Sequence, residues 1–251
     1  MRFLVLVVFI AKFVITDCLA VISYDAGIDA SAVGGSSSLT YSHTVGVGSD
    51  TALVVGGSVS SSCDSAPNIT SVTYAGDSMT NEVYVDDPDP SGCANAGDSG
   101  IYTKTNPATG ANNVVVTLAG TNGEIHSSAN SFFGVNQTDP TSAGNTNFGF
   151  DTAANVTVTT QSGDVLVDHV CNGNSVGTVG AAQTERTKQN NNTEATCNNS
   201  ASSTQDGVDG GAMTWTVGND LWLISSVSLT PAEAGAPAAI TPQRRAFWIR
   251  R

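Results

Sequence analysis

Short apolar runs in which every second residue is hydrophobic recur along this chain, and they constrain its fold more than any other feature. Gly, Asn, Asp or Pro separates these runs at intervals of about eight to twelve residues between Val21 and Leu229. Alternation with period two places one face of a strand in a core and the other face in solvent. No segment has a convincing helical period, so we predict an all-β fold.

The alternation predicts about 12–14 strands in an antiparallel β-sandwich, jelly-roll-like and similar in layout to the concanavalin sandwich. The polar stretch Asn190–Asp209 is predicted to be a long loop. The candidate strands are Val21–Tyr24, Leu39–Val45, Ala52–Ser60, Ile69–Tyr74, Met79–Val85, Gly100–Thr105, Asn113–Leu118, Glu124–Phe133, Val156–Thr160, Asp164–Cys171, Val179–Thr184, Ala212–Val217 and Leu221–Leu229.

The first twenty residues have the composition of a secretory signal. Arg2 precedes an apolar run from Phe3 to Ala11, and small residues end at Ala20. This order is typical of exported proteins, and the run is too short to span a bilayer comfortably. We therefore predict a signal peptide at 1–20, a β-sandwich domain at 21–230, and a linker with a basic tail at 231–251. Because Lys12 interrupts the apolar run, a buried N-terminal strand is the alternative.

The cysteines independently favour an oxidising compartment. Removal of the signal, with Cys18, leaves four cysteines without CxxC spacing, and the chain has few histidines to share a metal. Pairing of sequence neighbours, Cys63 with Cys93 and Cys171 with Cys197, is the simplest of the connectivities. Each crosslink would add about 3–4 kcal/mol through loop entropy. Four buried thiols are the alternative.

Acidic residues dominate the body of the chain, which carries a formal net charge of −13. Between Val21 and Thr230 there are 20 acids and three bases, a net charge of −17. Binding to nucleic acid requires clustered cations, so this composition argues against it. A surface of this sign also favours solubility.

A short basic tail follows the acidic body, after a linker rich in Pro and Ala. Its cations and aromatic rings would suit docking into an acidic groove of a larger assembly; a disordered end or contact with an anionic membrane are the alternatives. The candidate docking residues are Arg244, Arg245, Phe247, Trp248, Arg250 and Arg251.

Turn and strand motifs in a fixed order relate the chain to a known kind of module. They are Val72–Thr80, Ile101-Tyr102, Asn106–Gly110, Val114–Thr117, Phe132–Pro140, Ser162–Val167 and Trp222–Pro231. Together they resemble a β-sandwich module of unassigned function that recurs in bacterial secreted proteins and in phage and marine-virus structural proteins. The resemblance covers about Val21 to Pro231 and implies a sandwich fold, but it carries over no catalytic residue.

Two serines match nucleophile patterns without the rest of the machinery. Ser175 lies in a GxSxG sequence, but loop and strand are predicted after it, and no histidine follows it in the chain. Ser99 lies in Gly-Asp-Ser-Gly, with His43 too close upstream for a two-barrel protease. We interpret both as turns. No close pair of carboxylates suggests a glycosidase.

The sequence contains two candidate binding sites. Asp86, Asp87 and Asp89 offer the oxygen ligands that calcium prefers, although their spacing is not that of an EF-hand and a solvated acidic loop is the alternative. Apart from this calcium, no cofactor is predicted. Aromatic rings could form a platform that stacks on sugars, although rings on strands usually belong to the core. The glycan-contacting candidates are Tyr102, Trp215 and Trp222.

These observations favour a non-enzymatic structural or adhesion module, secreted or on a virion surface, with a cell-surface or virion protein assembly or a glycan as partner. No stable transmembrane span is expected. The alternative is a carbohydrate-active domain, either a carbohydrate-binding module or a glycoside hydrolase.

Overall fold

The protein is described by a computed structural model covering residues 20–60, 68–86, 97–121, 123–190, 197–207 and 211–233. These residues contain 17 strands and no helix, which confirms the predicted all-β sandwich class. The strands are β1 (Ser23–Ser36), β2 (Ser38–Val45), β3 (Ala52–Ser60), β4 (Ile69–Tyr74), β5 (Asp77–Ser78), β6 (Thr80–Val85), β7 (Gly97–Thr105), β8 (Gly110–Leu118), β9 (Gly123–Phe133), β10 (Thr141–Gly149), β11 (Ala153–Thr157), β12 (Val165–Asn172), β13 (Val176–Val179), β14 (Thr184–Asn190), β15 (Asn199–Asp206), β16 (Ala212–Val217) and β17 (Trp222–Leu229).

The strands form four antiparallel sheets that divide along the chain into two sandwiches. In the N-terminal sandwich, a sheet of order β1-β9-β3-β7-β6 packs on a sheet of order β2-β8-β4-β5. In the C-terminal sandwich, a sheet of order β10-β17-β12-β15-β14 packs on a sheet of order β11-β16-β13. The two five-stranded sheets face each other at the centre of the molecule. The chain therefore forms two stacked sandwiches and four layers.

Each sandwich has its own apolar core, as the alternation predicts. Leu53 and Val55 of β3 meet Val114 and Val116 of β8 in the N-terminal core. In the C-terminal core, the aliphatic residues of β12 meet Met213, Trp215 and Val217 of β16. Burial of one such side chain contributes about 1.5–3 kcal/mol. The outer faces of the two small sheets are polar, in keeping with exposure to solvent.

The two sandwiches repeat one arrangement. In chain order, the strands from β10 to β17 correspond to β1, β2, β3, β4, β6, β7, β8 and β9. With this correspondence, the order β10-β17-β12-β15-β14 matches β1-β9-β3-β7-β6, and the order β11-β16-β13 matches β2-β8-β4. Three sets of contacts across the centre follow the same symmetry: β3 lies on β12, β9 lies on β15 as β17 lies on β7, and β1 lies on β14 as β10 lies on β6. The contacts of β7 with β12 and of β6 with β17 have no counterpart of similar extent on the other side of the interface. The halves are thus related by a pseudo-twofold axis near β3 and β12.

Irregularities in the ladders give the residue-by-residue correspondence. The register of β1 on β9 shifts between Tyr24 and Ala26, and that of β10 on β17 shifts between Thr141 and Ala143. Because these bulges lie at the same place in each sheet, the strand positions opposite them are equivalent. This makes β9 equivalent to β17 with an offset of 97 residues.

A second bulge supports the same correspondence. It lies between Asn81 and Val83 in β6 and between Glu185 and Thr187 in β14. Residues 71–85 and 175–189 then align without a gap, each containing a Ser-Val pair, a Gly and a Thr at matching places. Gly76 has φ of +89°, which suits a tight turn after β4. The shared bulges and turns indicate an internal duplication of the sandwich.

Several predicted strands are confirmed with their bounds, including Ala52–Ser60, Ile69–Tyr74 and Ala212–Val217. Four strands, β5, β10, β14 and β15, were not predicted. The prediction of a strand at Val179–Thr184 is wrong in position, since most of it forms the turn between β13 and β14. The predicted loop Asn190–Asp209 contains β15. This strand is buried on both faces, but Ser, Asn and Thr occupy positions where the prediction required apolar residues.

Candidate functional site

The predicted disulfide between Cys171 and Cys197 is present. Cys171 lies in β12 and Cys197 just before β15, and both are fully buried beside Leu221 and Leu223. The bond closes a segment with a sequence separation of 26 residues. The other predicted pair, Cys63 and Cys93, lies outside the described residues.

The three glycan-contacting candidates belong to the core. Tyr102, Trp215 and Trp222 expose 4%, 2% and 2% of their surface. The Nε1–H group of Trp215 donates to Asp168 Oδ2 at 2.8 Å, and that of Trp222 donates to Asp151 Oδ1 at 3.0 Å. The prediction of an aromatic platform is therefore corrected: these rings have no free face for a sugar because the strand faces that carry them pack into the sandwiches.

The calcium and tail candidates lie mostly beyond the described chain. Asp86 is exposed after β6 and accepts a 3.4 Å hydrogen bond from Asn68 Nδ2, whereas Asp87 and Asp89 are not described. The tail candidates and residues 1–19 of the signal predicted at 1–20 are also outside the described residues. Ala20 is described, and its N–H group donates to the Ala232 carbonyl at 2.9 Å.

The interpretation of the two nucleophile-pattern serines as turn residues is confirmed for Ser175 and wrong for Ser99. Ser175 lies in the turn between β12 and β13, where its backbone N–H group donates to Asn172 Oδ1 at 2.8 Å. Ser99 is buried in β7 rather than in a turn, and its hydroxyl lies 3.1 Å from the Ser225 hydroxyl across the central interface.

Asp168 is a fully buried carboxylate in the C-terminal core. Its Oδ1 accepts hydrogen bonds from the backbone N–H (2.6 Å) and hydroxyl (2.9 Å) of Ser203, and its Oδ2 accepts from Trp215. Burial raises the pKa of Asp168 to about 7, against these donors, which lower it. The group ties β12 to β15 and to β16.

The most unusual cluster lies between the sandwiches, where β1 and β9 face β12, β14 and β15. We call it the polar seam. The residues of the polar seam are Asp29 and Ser31 of β1, Glu124, His126, Ser128 and Asn130 of β9, His169 of β12, Thr187 and Gln189 of β14, and Ser200 and Ser202 of β15. Strand alternation places each set on the side that faces the other sandwich.

Hydrogen bonds cross the polar seam at several points. His169 Nδ1 lies 3.0 Å from the Ser128 hydroxyl, and His169 Nε2 lies 3.1 Å from the Ser58 hydroxyl of β3. Asn130 Nδ2 donates to the Ser202 hydroxyl at 3.0 Å. At one end, Gln189 donates to Ser31 at 2.9 Å. Side chains of both sandwiches therefore fix their relative position.

Other polar atoms of the seam have no hydrogen-bond partner among the described residues. There are seven such buried side-chain atoms: Asp29 Oδ2, Glu124 Oε2, His126 Nδ1 and Nε2, Asn130 Oδ1, Gln189 Oε1 and Ser200 Oγ. Each buried unsatisfied group costs about 1–3 kcal/mol. All seven lie in the polar seam.

Burial changes the ionisation of the seam in both directions. It lowers the pKa of His126 to about 4 and that of His169 to about 3, with the charge of His126 adding to the effect on His169. It raises the pKa of Asp29 and of Glu124. In each case the low dielectric of the interface disfavours the charged form. Both imidazoles are therefore neutral at pH 7.

Across the pseudo-twofold axis, six of the equivalent positions are apolar, and we call the side of the interface that contains them the apolar seam. His126 corresponds to Leu223 and Asn130 to Val227, following the pairing of Ser58 with His126 and of Cys171 with Leu223. The apolar seam comprises Val83, Val85, Ile101, Leu221, Leu223 and Val227. The same backbone therefore accepts aliphatic side chains, so the fold does not require polar residues in the polar seam.

One pair of serines shows how the two seams differ. Ser99 and Ser225 bond each other in the apolar seam. Their equivalents in the polar seam are Ser200 and Ser128, but Ser128 bonds His169 instead, and the Ser200 hydroxyl is among the unpartnered atoms. His169 is accommodated because Gly56 lies opposite, where a Cβ atom would come within 2.4 Å of the His169 Cβ.

Reasoning from the sequence did not find the polar seam. Its histidines and serines look like ordinary members of alternating strands, and β14 and β15 were not fully recognised as strands. One signal could have indicated the polar seam: every second residue of β9 is polar and lies on one face, namely Glu124, His126, Ser128 and Asn130.

No family model, curated protein or solved structure matches this chain. Among the described residues, no group of three or more His, Cys, Asp or Glu side chains could hold a metal ion. The same part of the chain contains no helix long and apolar enough to cross a membrane.

Proposed function

We infer that this protein is a non-enzymatic structural module, exported or displayed on a virion, that serves assembly or adhesion at a surface. The observation that carries the proposal is the duplicated sandwich, whose halves dock face to face through their five-stranded sheets. This arrangement buries the centre of the molecule and leaves small sheets, edges and loops for contacts with partners.

The winding of each half supports this proposal. If β5 and β6 are counted as one interrupted strand, the N-terminal sandwich has the order 1-8-3-6 in one sheet and 2-7-4 with part of strand 5 in the other. This order resembles that of a jelly roll, except that most of the fifth strand lies at the edge of the central sheet, and it supports the jelly-roll expectation. Jelly rolls are frequent in capsid and lectin domains, although fold analogy alone gives no function.

The disulfide and the charge point the same way. The buried disulfide between Cys171 and Cys197 is typical of proteins in an oxidising compartment, where such bonds form and persist. The net charge of −13 favours a soluble, non-aggregating surface protein. Because the three candidate aromatic rings are buried, loops would have to make any contact with a glycan. A glycan array would test whether the protein binds glycans.

Location is the decisive test. We would quantify the protein by mass spectrometry in cytosol, culture medium, cell-surface and purified virus-particle fractions of its native source. Enrichment at the surface, in the medium or in particles is expected. Confinement to the cytosol would overturn the proposal.

Intact mass of the same native material provides a second test. Loss of about twenty N-terminal residues is expected from the export signal, with a gain of about four mass units on reduction if both predicted disulfides are formed. An uncut chain with free thiols would reject export and leave assembly in virus particles as the form to examine.

A further inference from the structure

Two imidazoles lie close together inside the central interface, one from each sandwich. His126 comes from β9 and His169 from β12, and both are fully buried. His169 is held by serine hydroxyls of β9 and β3, whereas both ring nitrogens of His126 belong to the unpartnered atoms of the polar seam. The position equivalent to His126 is Leu223, so the interface can be closed without an imidazole there.

Other charged groups reach this region from the packed strands. Asp29 of β1 and Glu124 of β9 face the seam, and β14 contributes Arg186, which lies 3.9 Å over the Tyr24 ring at the far end. Asp206 is exposed at the opposite end of β15 from Ser200, about 20 Å along the strand. From β3, the neighbour facing the imidazoles is the hydroxyl of Ser58.

We propose that the polar seam is an acid-sensitive joint, which opens when His126 and His169 take up protons while the apolar seam keeps the two sandwiches together. A proton on either ring of the closed joint would place an unsolvated cation beside the other imidazole. Opening admits water to both rings and to the unpartnered atoms around them. The joint thus exchanges a closed interface for a hydrated one as the pH falls.

The direction of the effect follows from linkage. Each imidazole has a lower pKa in the closed joint than the ordinary value of about 6.5, so the open form binds more protons below that pH. At pH 5, each imidazole favours opening by about 30-fold relative to neutral pH. Burial raises the pKa of Asp29 and of Glu124 in the closed joint. Acid therefore favours the closed joint through these two carboxyl groups, and it does so at pH values nearer to the ordinary pKa of a carboxyl group.

The apolar seam provides the hinge. Leu223 packs there with the disulfide of Cys171 and Cys197, and Val227 packs with Ile101. Aliphatic contacts do not titrate, so acid leaves this side of the interface closed. Asymmetry between the two seams is therefore the signature that separates opening of the joint from general unfolding.

Hydrogen exchange of the full chain tests the proposal. Exchange would be measured by mass spectrometry at pH 7.5 and pH 5.0, with correction for the intrinsic dependence of exchange on pH. Protection of β9 and β15 is expected to fall at least 30-fold at pH 5.0, whereas that of β7 and β17 stays within about threefold. Unchanged protection of β9 and β15, or equal loss in all four strands, would overturn the proposal.

A matched variant separates the imidazoles from other groups that titrate. His126→Leu copies the apolar seam, and His169→Gln keeps polar atoms for Ser58 and Ser128 but does not titrate. The double variant is expected to lose the difference between pH 7.5 and 5.0 in β9 and β15, and an acid response like that of the wild type would reject the proposal.

The wild type alone supplies a readout if the double variant does not fold. The imidazole resonances of His126 and His169 would be titrated by NMR alongside exchange. Protonation coupled to loss of protection in β9 is expected. Titration near pH 6.5 with protection intact would mean that both rings ionise inside a closed joint, and this would overturn the proposal.

Discussion

The polar and apolar seams are built from equivalent strands at opposite sides of one pseudo-twofold axis, yet they solve the same packing problem in different ways. Leu223, Val227 and Ile101 close one side with aliphatic contacts. His126, Asn130 and Ser202 occupy the matching positions on the other side, with a direct hydrogen bond between Asn130 and Ser202 but unpartnered atoms beside it. The backbone tolerates both solutions.

This difference teaches which part of the interface supplies stability and which part carries a cost. Aliphatic burial contributes about 25 cal/mol per Å² without a requirement for direction. A polar side chain stabilises the closed interface when its hydrogen-bond partner is present, and it destabilises the closed interface when that partner is absent. A duplicated fold provides its own control, because the apolar seam shows what each polar position could have been.

The strongest way to break the comparison is to place an imidazole in the apolar seam. Leu223→His should lower the free energy of unfolding by about 4 kcal/mol at pH 7, because it removes a buried aliphatic group and adds unpartnered nitrogens. Urea denaturation followed by tryptophan fluorescence would measure it. Leu223→Met is the matched control and should cost less than about 1.5 kcal/mol. Equal stability of Leu223→His and the wild type would show that this side also tolerates polar groups.

The disulfide beside the apolar seam should have the next largest effect. Replacing Cys171 and Cys197 together by serine should cost about 3–4 kcal/mol, since the bond closes a segment of 26 residues. The comparison extends to the second predicted crosslink, in the N-terminal sandwich. Ser60 pairs with Gly97 at the end of β3 and β7. Cys63 follows Ser60 by three residues and Cys93 precedes Gly97 by four, so both cysteines are close in sequence to this pair. The Cys63→Ser/Cys93→Ser variant should lose a similar amount. No loss of stability there, with a gain of mass when the unreduced wild type is alkylated, would mean that the duplication does not extend to the crosslink.

Sequence reasoning predicted the fold class because strands such as β8 and β16 alternate cleanly between buried and exposed positions. It missed β15 because hydroxyl and amide side chains fill both of its faces, which are buried against Asp168 on one side and the polar seam on the other. The duplication escaped notice because few identities survive between residues 71–85 and 175–189, and the shared bulges become visible only when strands are paired.

A third prediction concerns the two cores rather than the two seams. Asp168 occupies the position of Val55, which is apolar. Asp168→Asn should cost about 2 kcal/mol, because an amide N–H group would face the Trp215 donor. The pKa of Asp168, about 7 in the folded chain, lies above the ordinary value, so the stability that this group contributes is lost as pH rises through 7.

Denaturation curves at pH 6 and pH 8.5 would check both parts of that prediction. Wild type should lose stability over this interval through Asp168, and Asp168→Asn should lack that loss. A flat wild-type profile would show that the hydrogen bonds from Ser203 and Trp215 outweigh burial and keep the carboxylate ionised throughout.

The smallest expected effect sharpens the comparison from the polar side. His126→Leu copies Leu223 and should raise the free energy of unfolding by about 1–2 kcal/mol at pH 7, since it removes two unpartnered nitrogens and adds apolar contact. The gain should grow at pH 5, because the lowered pKa of His126 makes the folded state lose stability as pH falls below about 6.5. His43→Leu is a useful contrast, as His43 Nε2 bonds the Ser131 hydroxyl and its removal should destabilise the N-terminal core. A loss of stability in His126→Leu comparable to that in His43→Leu would show that the imidazole of the polar seam is a structural contact and that the two seams differ in residue type but not in energetic role.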